Sequence, residues 1–109
     1  MSSSDLFLTL QGLAGQASLN PDLEALVFIE LTGDDPAQWQ ARIAGGRLSL
    51  EQGQPAEPDL TVSASSDTAI KIFEKEMNPM AAFMTGKIKI KGDLAKIALL
   101  KDLVFGKKK

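Results

Sequence analysis

The sequence predicts an α+β domain in which a five-stranded sheet carries its helices mainly on one side. Three observations point there. Short runs of apolar–polar alternation recur between residues 25 and 91, helical periodicity occupies both ends and one central stretch, and Gly-Gly, Asn-Pro and Gly-Asp pairs mark the boundaries.

Each element has a local reason. Ser4 and Asp5 start a short helix carrying Leu6, Phe7, Leu10 and Leu13, weakened across Gly12 to Gly15 and stopped by Asn20-Pro21. The run LEALVFIELTG is rich in branched and aromatic residues and predicts a largely buried strand from Ala25 to Leu31, ended by Gly33. In AQWQARIAGGRLSLEQG, Trp39, Ala41 and Ile43 alternate with Gln40 and Arg42, Gly45-Gly46 turns the chain, and Arg47 to Glu51 alternates again. This is a hairpin.

Pro55 to Pro58 reads as a short acidic surface linker and Leu60 to Ala64 as a fourth strand. Ser65 or Ser66 caps a helix with Ala69, Ile70, Ile72, Phe73 and Met77 on one face; Lys71, Glu74, Lys75 and Glu76 lie mostly on the other. Asn78-Pro79 ends it and opens a second helix, Pro79 to Met84, stopped at Gly86. Lys87 to Lys91 is the fifth strand. Gly92-Asp93 then turns into a closing helix, Leu94 to Phe105, with Asp93 as N-cap and Gly106 past its end.

A chain of 109 residues is a single domain, 1–109, with one ordinary core and room for one internal pocket. Apolar residues at 44% and charged residues at 24% are those of a globular protein. No apolar run approaches the ~20 residues needed to span a bilayer, and MSSSDLF lacks the basic region and apolar core of a secretion signal, so the expected address is the cytoplasm. Cysteine and histidine are both absent, which removes thiol nucleophiles, Ser-His-Asp machinery and nearly all zinc chemistry. The carboxylates Asp34 and Asp35 sit in TGDDP, the composition of a solvated turn.

Charge is divided along the chain. Residues 1–70 hold two arginines, Arg42 and Arg47, against ten acids; residues 71–109 hold ten lysines against four. A basic face of this kind suits lipid head groups, nucleic acid or an acidic protein, or simply keeps strands and a tail solvated. Nucleic acid fits poorly, because the lysines are spaced by isoleucine rather than by stacking aromatics and Trp39 lies in the acidic half.

Three adjoining segments hold more apolar surface than a small fold needs. After its cap, the closing helix carries only Lys96, Lys101 and Asp102 as charges, roughly 120° apart, so it has no polar side. It needs a second cover beyond the sheet: the N-terminal helix, another subunit, a membrane surface or an apolar ligand. Met77, Met80 and Met84 cluster beside Phe83, and methionine suits both core gaps and cavities of variable content. In Lys87-Ile88-Lys89-Ile90-Lys91 the isoleucines face one side and the lysines the other. Such lysines guard an edge strand or meet lipid phosphates, with Lys107-Lys108-Lys109 assisting.

The segment NPMAAFMTGKIKIKGDLAKIALL, Asn78 to Leu100, resembles the C-terminal signature of the sterol carrier protein type 2 family of nonspecific lipid-transfer domains. The resemblance rests on Asn78, Pro79, Ala82, Phe83, Met84, Gly86, Lys87, Gly92 and Asp93, and continues more weakly through Gly33, Trp39, Gly45-Gly46 and EPDLTVSAS. It implies a mixed, mostly antiparallel five-stranded sheet covered on one side by about four helices, with an apolar tunnel between them for a fatty acid, acyl-CoA, phospholipid or sterol. The implied lining is Met80, Phe83, Met84, Ile88, Ile90, Leu94, Ile97, Ala98 and Leu100. Lys87, Lys89 and Lys91 stand as head-group contacts. The expected function is non-enzymatic lipid binding and transfer, with no catalytic residue, cofactor, metal or nucleic acid and with a transient anionic membrane surface as partner. A protein-interaction or homodimerisation module with a self-filled pocket, presenting substrate to a partner enzyme, is the alternative. The terminal Lys107-Lys108-Lys109 departs from the Ser-Lys-Leu type of peroxisomal tripeptide found in many members.

Overall fold

Ser2, two residues earlier than expected, caps the first helix, α1 (Ser3–Ala14): its hydroxyl accepts from Asp5 N–H at 3.1 Å, and the Asp5 carboxylate receives Ser2 N–H at 3.2 Å. The structure, a computed structural model, describes residues 1–16, 21–22, 24–93, 95 and 98. Five strands follow the expected boundaries closely: β1 (Ala25–Thr32), β2 (Ala37–Ala44), β3 (Arg47–Gln52), β4 (Leu60–Ser65) and β5 (Ile88–Gly92). Lys87 thus precedes the fifth strand instead of opening it.

The sheet order is β3-β2-β1-β4-β5. β1 is central, antiparallel to β2 and parallel to β4, while β2–β3 and β4–β5 are antiparallel. The parallel β1–β4 pair makes the sheet mixed. Asp59 sets its register at the entry to β4: Leu26 N–H donates to the Asp59 carboxylate and Asp59 N–H donates to the Leu26 carbonyl, both at 2.8 Å.

Alternation gives the sheet two unlike faces. One carries Val27, Leu31, Trp39, Ala41, Leu50 and Leu60, closed by Leu6 and Phe7 of α1 into a buried core. The Phe7 and Trp39 rings pack at 5.4 Å with a tilt of 49°, within the favourable range for aromatic pairs. α1 leans towards the β3 edge, where Gln11 donates its side-chain N–H to the Leu50 carbonyl at 2.9 Å.

After β4, Ser65 caps α2 (Ser66–Phe73) by accepting from Thr68 N–H at 3.0 Å. The apolar pattern predicted a helix reaching Met77, but it stops at Phe73. Lys75 adopts a left-handed conformation (φ 65°), and Glu76 N–H closes back onto the Lys71 carbonyl at 2.8 Å, a Schellman-type stop built on lysine instead of glycine. α3 (Pro79–Met84) begins as expected, with the Asn78 side chain accepting from Met80 and Ala81 N–H and Pro79 in the first turn.

Pro55, expected on the surface, is buried. Of the predicted closing helix, Ala95 and Ala98 are helical and exposed, and Asp93 accepts from Ala95 N–H at 2.9 Å as a cap would. Leu94, Lys96, Ile97 and residues 99–106 lie outside the described residues, as does Asn20.

Candidate functional site

Burial is uneven beneath the helices. Under α1, Leu6, Val27, Trp39 and Leu60 are all exposed by 3% or less, with Leu10, Ile29 and Leu48 partly buried around them. Under α2 and α3 the described apolar side chains other than Ala82 are less completely covered. Val62 of β4, Ile70 and Phe73 of α2, Met77, Phe83 of α3, and Ile88 and Ile90 of β5 are only partly buried.

The register shows why they share one side. Val62 pairs with Ile90 and Ala64 with Ile88, so alternation places both isoleucines on the face that Leu60 and Val62 present to the helices. Ile70 and Phe73 pack against that face from α2. α3 is anchored by Ala82, 1% exposed, and is tied to the start of β5 by Lys87 N–H donating to the Ala82 carbonyl at 2.8 Å. These residues form an apolar surface at the β4–β5 end of the sheet, with no charged side chain in α3.

The sequence-predicted residues divide around this surface. Ile88 and Ile90 lie on it by register, and Phe83 is partly buried on α3. Met84 is 77% exposed and Met80 46% exposed, and Ala98 is exposed. Leu94, Ile97 and Leu100 lie outside the described residues.

Lys89 and Lys91 pair with Ser63 and Thr61 and so project from the opposite face of β5 to Ile88 and Ile90. They turn away from the helix-covered side. Val62, Ile70 and Phe73 were absent from the expected site; their signal was the apolar face of α2, which sequence reasoning assigned to ordinary core.

A separate open hollow of about 570 Å³ lies where β1 leaves the sheet, lined by Glu30, Thr32, Gly33, Pro36, Gln38 and Gln52. It sits towards the β2–β3 side, away from β5. Leu31 and Ala37 also line it, and it is open to solvent. No helix among the described residues is long and apolar enough to cross a membrane.

With this geometry in place, similarity to known proteins becomes informative. Hydroxysteroid dehydrogenase-like protein 2 of Bos taurus is 33% identical over 92 residues, covering 80% of this chain and 22% of that protein. Its counterpart from Xenopus tropicalis is 29% identical over 103 residues, covering 94% of this chain and 24% of the relative. The chain therefore spans about a quarter of the length of these relatives. Among solved structures, palmitated SCP2L2 from Aedes aegypti has the same fold, with a TM-score of 0.77 at 22% identity over 95% of both chains. Residues 8–105 match the SCP-2 sterol transfer family, nearly the full length of the domain, and the chain belongs to that family.

Proposed function

We propose that this domain binds one apolar lipid chain between the β4–β5 half of the sheet and helices α2 and α3, and carries it without chemical change. The family and the fold support lipid binding and transfer in general. The observation that carries the site is the concentration of partly buried Val62, Phe73, Phe83, Ile88 and Ile90 on β4, β5, α2 and α3. Clustered apolar surface left half open is a common mark of a ligand groove.

Removing ~400 Å² of ligand surface from water at about 25 cal/mol per Å² stabilises the complex by roughly 10 kcal/mol before association costs of several kcal/mol. Micromolar affinity with weak selectivity follows. Sterol, fatty acid, acyl-CoA and phospholipid are all compatible with walls made of aliphatic and aromatic side chains.

Lipid extraction of the folded protein from its expression host, followed by mass spectrometry, tests the proposal. A stoichiometric lipid supports it. A protein that is empty and also fails to shield a fluorescent fatty acid from water refutes it.

A second reading is favoured by one observation: in the dehydrogenase-like relatives the matching segment is only about a quarter of a much longer chain. In this reading the domain presents an apolar substrate to a partner enzyme. A purified partner would then turn over a lipid-loaded domain faster than the same lipid in detergent, whereas equal rates would exclude presentation.

A further inference from the structure

We propose that the free edge of β5 takes an additional β-strand from another protein, an extended acidic segment whose carboxylates alternate with apolar residues. This contact lies at the rim of the sheet and does not depend on the cargo reading.

The hydrogen-bond pattern shows which backbone groups face that edge. Leu26 N–H donates towards β4 at Asp59, and Gly53 N–H donates to the Gln38 carbonyl. Even-numbered residues of β2 therefore turn to β3, its odd-numbered residues turn to β1, and the even-numbered residues of β1 turn to β4. With that parity, and with Asp93 N–H donating to the Asp59 carbonyl, Thr61 and Ser63 bond to Lys91 and Lys89 across the β4–β5 ladder. The backbone N–H and C=O of Ile88 and Ile90 are left pointing outward, with no partner among the described residues.

An edge strand that presents such groups is a template for strand addition, and its side chains select the strand. Lys89 and Lys91 stand on the open face of the sheet, exposed and in no ion pair with a described residue, while Ile88 and Ile90 stand on the helix-covered face. In an antiparallel addition the positions opposite the lysines are the non-hydrogen-bonded ones, where side chains approach most closely, so carboxylates belong there. Positions opposite Ile88 and Ile90 call for apolar residues. The segment from Asn78 to Gly92 supplies no competing acid, and Glu30, on the same row, is separated from Lys89 by Ser63 of β4.

A second copy is a poor occupant. Pairing β5 with itself about Ile90 sets lysine opposite lysine, which destabilises the ladder; a one-residue slip instead turns the lysines to the face of Ile88 and Ile90. β3, the other edge, suits the role less: α1 packs beside it, and Arg47 and Glu51 put opposite charges on its open face. The lysines of β5 thus oppose self-pairing and admit a strand of opposite charge.

The test titrates the peptide acetyl-TVEVEVT-amide into the unmodified protein and follows backbone amide spectra and hydrogen exchange. Binding should slow exchange at the Ile88 and Ile90 amides and leave those of Lys89 and Lys91, already bonded to β4, little changed. N-methylation of the central valine, whose N–H turns to β5, should weaken binding about tenfold; N-methylation of a glutamate, whose N–H turns away, should alter it less than about threefold. Joint replacement Lys89→Glu and Lys91→Glu, at two exposed positions, should weaken binding of the acidic peptide about tenfold and strengthen that of acetyl-TVKVKVT-amide. No binding at about 1 mM peptide, indifference to which residue is methylated, or unchanged exchange at Ile88 and Ile90 would each overturn the proposal. So would a concentration-dependent dimer that protects those two amides without peptide, because the occupant would then be a second copy.

Discussion

Asp35 holds the start of the first helix: Ser3 N–H donates to its carboxylate at 2.6 Å, and the Ser3 hydroxyl donates to its backbone carbonyl. The residues are 32 positions apart, and Ser3 is only 3% exposed. A carboxylate that looked like solvated turn chemistry thus satisfies a buried helix N-terminus and ties α1 to the β1–β2 turn. Its neighbour Asp34 is exposed and makes no such bond.

Asp35→Ala should therefore lower stability by about 1–2 kcal/mol, the cost of an unmet buried donor, whereas Asp34→Ala should change it by less than about 0.5 kcal/mol. Urea unfolding of both variants checks the contrast. Equal effects would contradict the specific role of Asp35.

At Gly92 the surrounding backbone leaves no room for a side chain. A Cβ placed there would lie 2.3 Å from the Asp59 carbonyl oxygen and 3.0 Å from Leu60 Cα, at a φ of +131°. Both contacts are backbone and cannot swing aside. Gly92→Ala should cost more than about 2 kcal/mol and disturb β4–β5 pairing, whereas Gly45→Ala, with open space around it and a φ of +59°, should cost about 1 kcal/mol. Thermal melts compared with amide exchange in β5 distinguish the local effect from the general one.

Lys75 points the other way. Its left-handed conformation at the end of α2 is one that glycine adopts without a Cβ penalty. Lys75→Gly should stabilise the domain by a few tenths to about 1 kcal/mol, the strain relief being partly offset by greater freedom of the unfolded chain. A lower urea midpoint would refute this account of the helix stop.

For the proposed cargo site, the informative change is Ile88→Asp. Ile88 is partly buried, opposite Ala64 on the face shared with Val62 and Ile90. A carboxylate there should weaken capture of a fluorescent fatty acid by tenfold or more, since it must be desolvated when an acyl chain covers it. Undiminished capture by a folded variant would move the ligand elsewhere.

Much of the fold was legible because its signals are local. Asn78-Pro79 opened α3, Ser65 capped α2, Gly45-Gly46 turned the hairpin and Ile88-Lys89-Ile90 alternated, each through chemistry contained within a few residues. The end of α2 was misread because Met77 continued the apolar period, while Lys75 gave no compositional warning that it would take a conformation usually left to glycine. The candidate site was legible in part. Alternation placed Ile88 and Ile90 on one face of β5, as the register has them, but helical spacing alone could not show the 46% and 77% exposure of Met80 and Met84.

Chain chemistry without any fold sufficed for the absence of thiol and imidazole catalysis, for the separation of acidic and basic halves, and for element identity. Tertiary structure decided what depends on contacts between distant segments. It put β1 parallel to β4, gave Asp35 to Ser3 and Asp59 to Leu26, and left Val62, Ile88 and Ile90 of β4 and β5 partly buried. Alternation can say that isoleucines and lysines of β5 face opposite ways; only the strand's position at the sheet edge, beneath α3, decides which side meets the core and which meets the surroundings.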